Sequence, residues 1–324
     1  MANRLSLGAL VLSSGILTAY ISKKYLDHAC PRIPVDQVSQ LSSCRQLLDT
    51  ASSCANSPDT VVPKPWGAHK SGLLPSWSEA QSGDKKSRWI SSYTGVQMDV
   101  PIALLASYRS EADKGTSTTN DDPRTAESLA RSVIDAFLDA HSHGLDGWVL
   151  DRNLPPRTYM PGNHLFGDST GVSSFMFDTW SSRSKDSIQP SALPADVPIP
   201  KSFFPSNEAL LVNASQDPSH PESAGTVIYW KAPDYLLNAF NKAASYGLPW
   251  RVMDGGWQEF IVEKISEETA RVTYITLECY DVHPDGPETR NFKHMPWLAY
   301  ELHVLYAQSL LIRTVRQVEK INPV

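Results

Sequence analysis

Four titratable side chains in the C-terminal third of the chain could carry out proton transfer. Glu259 and Glu263 belong to one predicted strand, Glu278 to the next, and His303 to the predicted helix that follows. A carboxylate held beside aromatic rings in a dry pocket has a raised pKa and can shuttle a proton in a cyclisation or an isomerisation. The alternative is that the glutamates line a solvated face of the sheet, because Glu is rarely buried without a partner. His303 would then be an ordinary core or surface histidine.

Other motifs that could hold a nucleophile, a metal or a nucleotide are disfavoured. Residues 167–171 match G-x-S-x-G, but the Pro and Gly before them cannot form the strand that a nucleophile elbow requires, so a turn is favoured. His141 and His143 alternate near Asp146 where a predicted helix ends, and imidazoles there cap carbonyl groups. Neither the P-loop nor the G-x-G-x-x-G motif occurs. We therefore predict no cofactor and no metal site.

The pattern between residues 88 and 140 predicts a strand followed by two helices. Residues 88–100 mix aromatic and β-branched residues, and they stop at Pro101, a residue that suits the first turn of a helix. Residues 125–140 repeat apolar side chains at helical spacing and predict the second helix.

The C-terminal part of the chain predicts the elements that carry the four titratable residues. Residues 226–231 predict a strand, and residues 233–246 predict a helix. Residues 250–264 and 270–281 alternate apolar and polar side chains on either side of a short turn, which is typical of an antiparallel hairpin. Residues 296–320 predict the longest helix, with an apolar stripe and with Arg and Lys near its C-terminal end.

An antiparallel sheet completed by one long amphipathic helix resembles the helix-grip arrangement of lipid-transfer and polyketide-cyclase domains. The resemblance rests on the order of the elements over about 100 residues. It implies an α+β fold in which a curved antiparallel sheet packs on the C-terminal helix and leaves an apolar cavity. That cavity would hold a polycyclic or long-chain ligand against six aromatic side chains, namely Tyr229, Trp250, Trp257, Tyr274, Trp297 and Tyr306.

The N-terminus contains a candidate membrane segment. Residues 5–22 form a run of eighteen residues without a charge, bounded by Arg4 and Lys23, which is just long enough to span a thin bilayer. A cleaved signal peptide normally ends in small residues, whereas this run contains Tyr20 near its end. We predict an N-terminal transmembrane helix within residues 1–24, with a buried or amphipathic helix as the alternative. The protein would be a single-pass protein of the endoplasmic reticulum membrane, and charges that are nearly equal on both flanks leave its orientation open.

The segment after the anchor predicts a linker. Residues 25–86 are rich in Ser, Pro, Asp and Gln and show little periodicity apart from one short helix around residues 37–51. The α+β domain is therefore expected to comprise residues 87–324.

Cysteine usage and one sequon would be compatible with an oxidising lumen. Cys30, Cys44 and Cys54 follow the anchor closely, so a disulfide between two of them would form if the body faced the lumen. Asn213 begins an N-x-S sequon and is the candidate glycosylation site.

The charge of the chain excludes a nucleic-acid-binding protein. The net charge is −6, the pI is about 5.8, and no run of Lys and Arg exceeds two residues. Phosphate backbones require a denser positive surface than this sequence offers.

Two segments and the anchored layout resemble uncharacterised fungal proteins encoded beside secondary-metabolite biosynthetic genes. The segments are residues 247–251 (GLPWR) and residues 297–301 (WLAYE). The resemblance implies a membrane-associated, cofactor-independent cyclase or isomerase acting on an apolar polyketide or terpenoid intermediate. Two alternatives are a non-catalytic carrier that uses the same pocket and a scaffold for other pathway enzymes at the membrane.

Overall fold

The computed structural model describes residues 21–50, 66–67, 74–75, 88–112, 122–142, 173–176, 179–183, 221–232, 237–239, 242–243, 246, 253–282 and 296–321. These residues form an α+β structure with an antiparallel sheet and a long C-terminal helix, as predicted from the sequence.

The sheet has seven strands in the order β1-β2-β7-β6-β5-β3, and β4 pairs with β5 beside β3. All pairs are antiparallel, and the predicted hairpin is the pair formed by β6 and β7. The strands are β1 (Leu74–Pro75), β2 (Arg88–Pro101), β3 (Ser173–Met176), β4 (Trp180–Ser181), β5 (Ser223–Lys231), β6 (Gly255–Lys264) and β7 (Thr269–Val282).

In the described ranges, four α-helices of eight or more residues accompany the sheet, and residues 21–29, 35–37, 237–239 and 242–243 are also helical. The last helix is the longest of the four at 25 residues, and it contacts β2, β7 and two other helices. The helices are α1 (Ser43–Thr50), α2 (Ile102–Ala112), α3 (Ala126–Ser142) and α4 (Trp297–Ile321).

One face of the sheet, here called the helix face, packs against α2, α3 and α4. Side chains alternate between the two faces of a strand, so the even-numbered residues of β2, β5, β6 and β7 point to this face. Phe260 lies between Phe137 of α3 at 4.8 Å and Tyr274 of β7 at 4.7 Å, measured between ring centroids. With Leu311 of α4, these residues belong to one buried cluster that fills the space between the sheet and the helices.

The opposite face of the sheet is covered by residues 33–50, so the prediction of a polar linker over residues 25–86 differs from the structure here. Ile33 donates its amide to the carbonyl of Gly95 at 2.9 Å, which holds the segment to β2. Its apolar side chains are spaced irregularly through coil and short turns, and composition alone therefore gave no sign of them. The apolar side chains of this segment are buried against Trp180, Trp257 and Leu277. They belong to Ile33, Val35, Val38, Leu41, Cys44, Leu47 and Leu48.

Several N-terminal and loop predictions lie outside the described residues. Trp250, Cys54, Asn213 and residues 167–171 are among them, as is almost all of the candidate membrane segment. Within the described ranges, no helix is both long enough and apolar enough to cross a membrane.

The two described cysteines of the N-terminal segment are free and lie in different clusters. Cys30 belongs to the helix-face cluster and Cys44 to the cluster on the opposite face. Burial raises the pKa of the Cys30 thiol to about 12.

Removing residues 30–50 should unfold the domain. A buried aliphatic side chain contributes about 1.5–3 kcal/mol, so loss of the seven apolar residues is comparable with a whole domain stability of about 5–15 kcal/mol. We expect a chain beginning at Ser87 to bind a hydrophobic dye and to lack a cooperative thermal transition. A chain beginning at Ile21 should keep that transition. Equal melting temperatures for the two chains would contradict the assignment of this segment to the core.

Candidate functional site

The predicted catalytic glutamates of the hairpin lie on opposite faces of the sheet. Glu259 pairs across the strands with Ile275, whereas Glu278 pairs with Gly256. Because successive residues alternate between faces, Glu278 lies on the helix face and Glu259 lies against the N-terminal segment. The two carboxylates therefore cannot act on one substrate.

Glu259 is fully buried and accepts four hydrogen bonds. Ser42 Oγ donates to its Oε2 at 2.6 Å, and the Cys44 amide donates to the same oxygen at 3.0 Å. The Ser43 amide and Trp180 Nε1 each donate to Oε1 at 3.0 Å. These donors occupy the acceptor positions of the carboxylate, so none is left for a substrate.

The carboxylate of Glu259 caps the N-terminus of α1. The first two amides of the helix, those of Ser43 and Cys44, donate to Glu259, and the third, that of Arg45, donates to Ser42 Oγ at 3.1 Å. The positive end of the helix dipole also favours a negative charge at this point. Burial raises the pKa of Glu259, while the hydrogen bonds from Ser42, Cys44 and Trp180 lower it. The structure thus gives Glu259 a structural role in place of the predicted catalytic one.

Glu263 fits the alternative of a solvated glutamate. It is half-buried at the far end of β6 and lies opposite Arg271 in the register. The guanidinium of Arg271 binds both carboxylate oxygens of Asp99, at 2.8 and 3.1 Å, on the same face. Glu263 therefore belongs to an exposed charged group on the face opposite His303.

Glu278 and His303, by contrast, are brought together. His303 Nδ1 lies 2.6 Å from Glu278 Oε1, a close approach in which the two atoms are not aligned as a hydrogen bond. Only 2% of the Glu278 side chain is exposed, and 19% of the His303 side chain is. Ser92 Oγ lies 3.4 Å from the second oxygen of Glu278. Two of the four predicted catalytic residues thus form a buried carboxylate–imidazole pair.

The sheet positions this pair on a polar row of the helix face. Ser92, Glu278, Gly256 and Trp230 are consecutive register partners across β2, β7, β6 and β5. A Cβ at Gly256 would lie 2.0 Å from the Leu277 carbonyl oxygen and 3.3 Å from Trp230 Nε1, so only glycine fits and the indole lies beside it. The apolar part of the helix face is covered by α3 and the later turns of α4, and this polar row lies near the first turns of α4.

Aromatic residues of α4 flank the carboxylate–imidazole pair. Tyr300 donates its hydroxyl to the Tyr93 carbonyl at 3.0 Å, and its ring stacks on Trp66 with centroids 6.0 Å apart. The Tyr306 ring lies 6.3 Å from the imidazole of His303. The pair therefore has one buried side at the sheet and a partly exposed side at α4.

One imidazole nitrogen of His303, Nε2, has no hydrogen-bond partner in the described part of the chain. The carboxylate next to Nδ1 favours the tautomer with a proton on Nδ1, so Nε2 carries the lone pair that a general base requires. Within the described part of the chain, His303 Nε2 and Trp230 Nε1 are both buried and make no hydrogen bond. A buried polar atom without a partner costs about 1–3 kcal/mol, and contact with a ligand is one way in which that cost is offset.

Of the six aromatics predicted to line one cavity, Trp250 lies outside the described residues, and the other five do not converge. Tyr229 and Trp257 contact each other at 5.0 Å on the face opposite the helices, because odd-numbered residues of β5 and β6 point there. Tyr274 is part of the helix-face core. Trp297 and Tyr306 are exposed on α4. The five described aromatic side chains therefore do not line a single cavity.

Sequence reasoning missed Ser42, Trp180, Ser92 and Trp230. Their partners are distant in sequence, and only the glycine pair at residues 255–256 hinted that a close approach was needed in β6. No grouping of three or more His, Cys, Asp or Glu able to hold a metal ion occurs in the described ranges. The expectation of no metal stays a prediction.

No family model, curated protein or solved structure matches the chain. The resemblances to helix-grip domains and to fungal biosynthetic proteins therefore stay predictions.

Replacing Glu259 with Gln should destabilise the protein. The amide NH₂ would face donors that now bind an oxygen, so we expect the free energy of unfolding to fall by about 3 kcal/mol. The matched control is Glu263→Gln on the same strand, which should change it by less than about 1 kcal/mol. Urea unfolding measures both values. Equal stability of Glu259→Gln and the wild type would refute the capping role.

Proposed function

We propose that the protein is a cofactor-independent cyclase or isomerase in which Glu278 and His303 transfer a proton on an apolar substrate. The single observation that carries this proposal is the 2.6 Å contact between His303 Nδ1 and Glu278 Oε1, with Nε2 buried and free of any hydrogen bond to the described residues. The substrate class, a polyketide or terpenoid intermediate of fungal secondary metabolism, comes from the sequence resemblance and is part of the proposal.

The proposed reaction needs no oxidant or reductant. His303 Nε2 removes a proton from a carbon next to a substrate carbonyl, and the electron pair of that C–H bond moves to the carbonyl oxygen. In a cyclisation, the enolate carbon attacks a second carbonyl carbon of the substrate, the π pair of that carbonyl moves to its oxygen, and the imidazolium gives its proton to this oxygen. In an isomerisation, the imidazolium returns the proton to another carbon of the enolate system. Glu278 stabilises the imidazolium, and its burial strengthens that interaction because the local dielectric is low.

Trp230 gives a second point of contact on the same polar row. Its indole N–H is a donor without a partner in the described part of the chain. The backbone of Trp230 is two strands from Glu278, but its indole nitrogen lies beside Gly256, one strand from Glu278, or about 5 Å. A substrate that spans this distance would place one oxygen at the indole and the reacting carbon at His303, which fits a molecule with several carbonyl groups.

The helix-grip resemblance supports this proposal only for the N-terminal turns of α4. The later turns of α4 pack against the filled core around Phe260 and Leu311. A ligand would therefore lie near the first turns, over the polar row. A carrier would need an apolar recess and no aligned acid and base, so the Glu278–His303 pair favours catalysis over carriage.

We further propose that residues 5–22 anchor the protein in the endoplasmic reticulum membrane as a single-pass helix. The length of the uncharged run and the Lys residues that follow it support this proposal. The anchor would keep the enzyme at the surface where apolar intermediates accumulate.

Substitution of the proton-transfer pair tests the catalytic proposal. A strain lacking the gene should be complemented with the wild type, Glu278→Gln, His303→Asn or Glu263→Gln. The Gln side chain keeps the volume of Glu278 but cannot stabilise an imidazolium, and Asn keeps a donor at the Nδ1 position but lacks Nε2. We expect both variants to lower the product at least about 100-fold in metabolite profiles, since acid–base catalysis contributes about 10²–10⁴-fold.

The control Glu263→Gln makes the same chemical change on the opposite face and should restore the product. Protein level and melting temperature must match the wild type for each variant. Full restoration by Glu278→Gln, together with failure of the deletion strain, would refute catalysis and support the carrier or scaffold alternative.

A further inference from the structure

The first turns of α4 carry His303 on one side and Glu301 on the other. Residues two apart in a helix lie about 200° apart around its axis, so Glu301 is on the side away from Glu278. A rotation of α4 by about 20° would move a side-chain atom about 6 Å from the axis by about 2 Å. The 2.6 Å approach of His303 Nδ1 to Glu278 Oε1 therefore depends on whatever fixes the rotation of this helix.

Arg32 binds Glu301 through two nitrogens of its guanidinium group. Nη1 donates to Oε1 and Nη2 donates to Oε2, each at 2.8 Å, and both side chains are partly buried. The hydrogen bonds from Arg32 lower the pKa of Glu301, so the carboxylate stays ionised at neutral pH. Because the guanidinium fork is planar and rigid, a pair of this kind fixes the orientation of the carboxylate as well as its distance.

The backbone of Arg32 is in turn fixed to the sheet. Arg32 forms an antiparallel bridge with Val96 of β2. The residues on either side of it make backbone hydrogen bonds to Gly95 and Gln97, at 2.9 and 3.1 Å. β2 also pairs with β7, the strand that carries Glu278. The guanidinium thus connects α4 to the pair of strands that position the carboxylate of the site.

A second contact holds the same side of α4 two turns later. Gln308 is fully buried, and its Nε2 donates to Asp27 Oδ1 and to the Cys30 carbonyl, each at 2.9 Å. Glu301 and Gln308 are seven residues apart, which is close to two full turns, so they lie on one side of the helix. Residues 27–32 therefore oppose rotation of α4 at two points, and Glu301 is the point nearer to His303.

We propose that Arg32 is a positioning residue of the proton-transfer site, which fixes the rotation of α4 and thereby keeps His303 Nδ1 against Glu278. This inference rests on the function proposed above, and it adds a residue that touches neither the substrate nor the reacting atoms. Without Arg32, the first turns of α4 are free to rotate, and the imidazole loses the carboxylate that selects its tautomer. A segment outside the sheet and α4 thus completes the geometry of the site.

Replacing Arg32 with Met in the full chain tests this role by ¹⁵N NMR of the His303 side chain. Met keeps much of the length of the side chain but donates no hydrogen bond. We expect the proton of the neutral imidazole to move from Nδ1 to Nε2, as in Glu278→Gln. The chain should stay folded, because the Tyr300 hydroxyl still binds the Tyr93 carbonyl of β2 at 3.0 Å. In the complemented strain, the product should fall at least about 10-fold, since a misplacement of about 1 Å can cost about 100-fold.

The matched control is Arg271→Met, which breaks an ion pair of the same type between β7 and β2. Arg271 binds both carboxylate oxygens of Asp99 on the face opposite His303. Its side chain is 35% exposed and that of Arg32 is 33% exposed, so the two substitutions remove comparable groups. We expect Arg271→Met to leave the His303 resonances and the product unchanged.

Arg32→Lys is the conservative variant, and it decides the test if Arg32→Met does not fold. Lys keeps the charge but lacks the planar fork, so we expect a tautomer ratio between that of the wild type and that of Glu278→Gln. Unaltered His303 resonances in a folded Arg32 variant would overturn the proposal, whatever the change in melting temperature. An equal change in Arg271→Met would overturn it too, because the effect would then follow from lost stability.

Glu278→Gln separates failure of this inference from failure of the proposed function. Full product from Glu278→Gln would contradict the proton-transfer reaction itself, whatever Arg32→Met does. Altered His303 resonances and lost product in Glu278→Gln, beside wild-type behaviour of Arg32→Met, would overturn the positioning role alone.

Discussion

The buried carboxylate of Glu259 is the interaction on which the arrangement of the described structure depends. It closes the N-terminus of α1 and also binds the Trp180 indole of β4, so one side chain joins the N-terminal segment, β6 and the edge of the sheet. A buried charge without these four donors would be strongly unfavourable, and a helix end without an acceptor would leave amides unsatisfied. Each group therefore requires the other, and residues 33–50 are held on the face opposite the helices.

Coverage of that face has a consequence for the proposed chemistry. Both faces of the sheet are buried over most of its area, one by the N-terminal segment and the other by α2, α3 and α4. Among the described residues, the row of Ser92, Glu278 and Trp230 places polar groups on the helix face near the first turns of α4. His303 reaches this row because it lies in the first turns of α4. The ion pairs of Lys23 and Arg32 with Glu301 fix those same turns.

The sequence predicts those elements whose signals are local. Residues 88–101, residues 126–142, the hairpin and α4 carry strong local signals, and the structure confirms them within a few residues. The sequence also predicts which residues of each strand share a face. It does not relate the faces of the two strands, because that requires the register across the hairpin, which places residue 256 opposite residue 278.

The N-terminal segment and the site pair depend on contacts without a local signal. Ser42 and Glu259 are 217 residues apart, and no pattern within either segment predicts the contact between them. Glu278 and His303 were both candidates by residue type, but that their side chains meet at 2.6 Å follows from how α4 crosses β7, which periodicity does not define. Glu259 was misassigned for the same reason, because its donors come from a segment whose composition resembles a linker.

The central claim is that Glu278 holds His303 with a proton on Nδ1, and the most direct measurement is ¹⁵N NMR of the histidine side chains in the full chain. His303→Asn identifies the resonances of His303 among the nine histidines. We expect a proton on Nδ1 of the neutral imidazole, and a change of tautomer in Glu278→Gln, with no change in Glu263→Gln. A bare Nδ1 in the wild type, or resonances that Glu278→Gln leaves unaltered, would contradict the account.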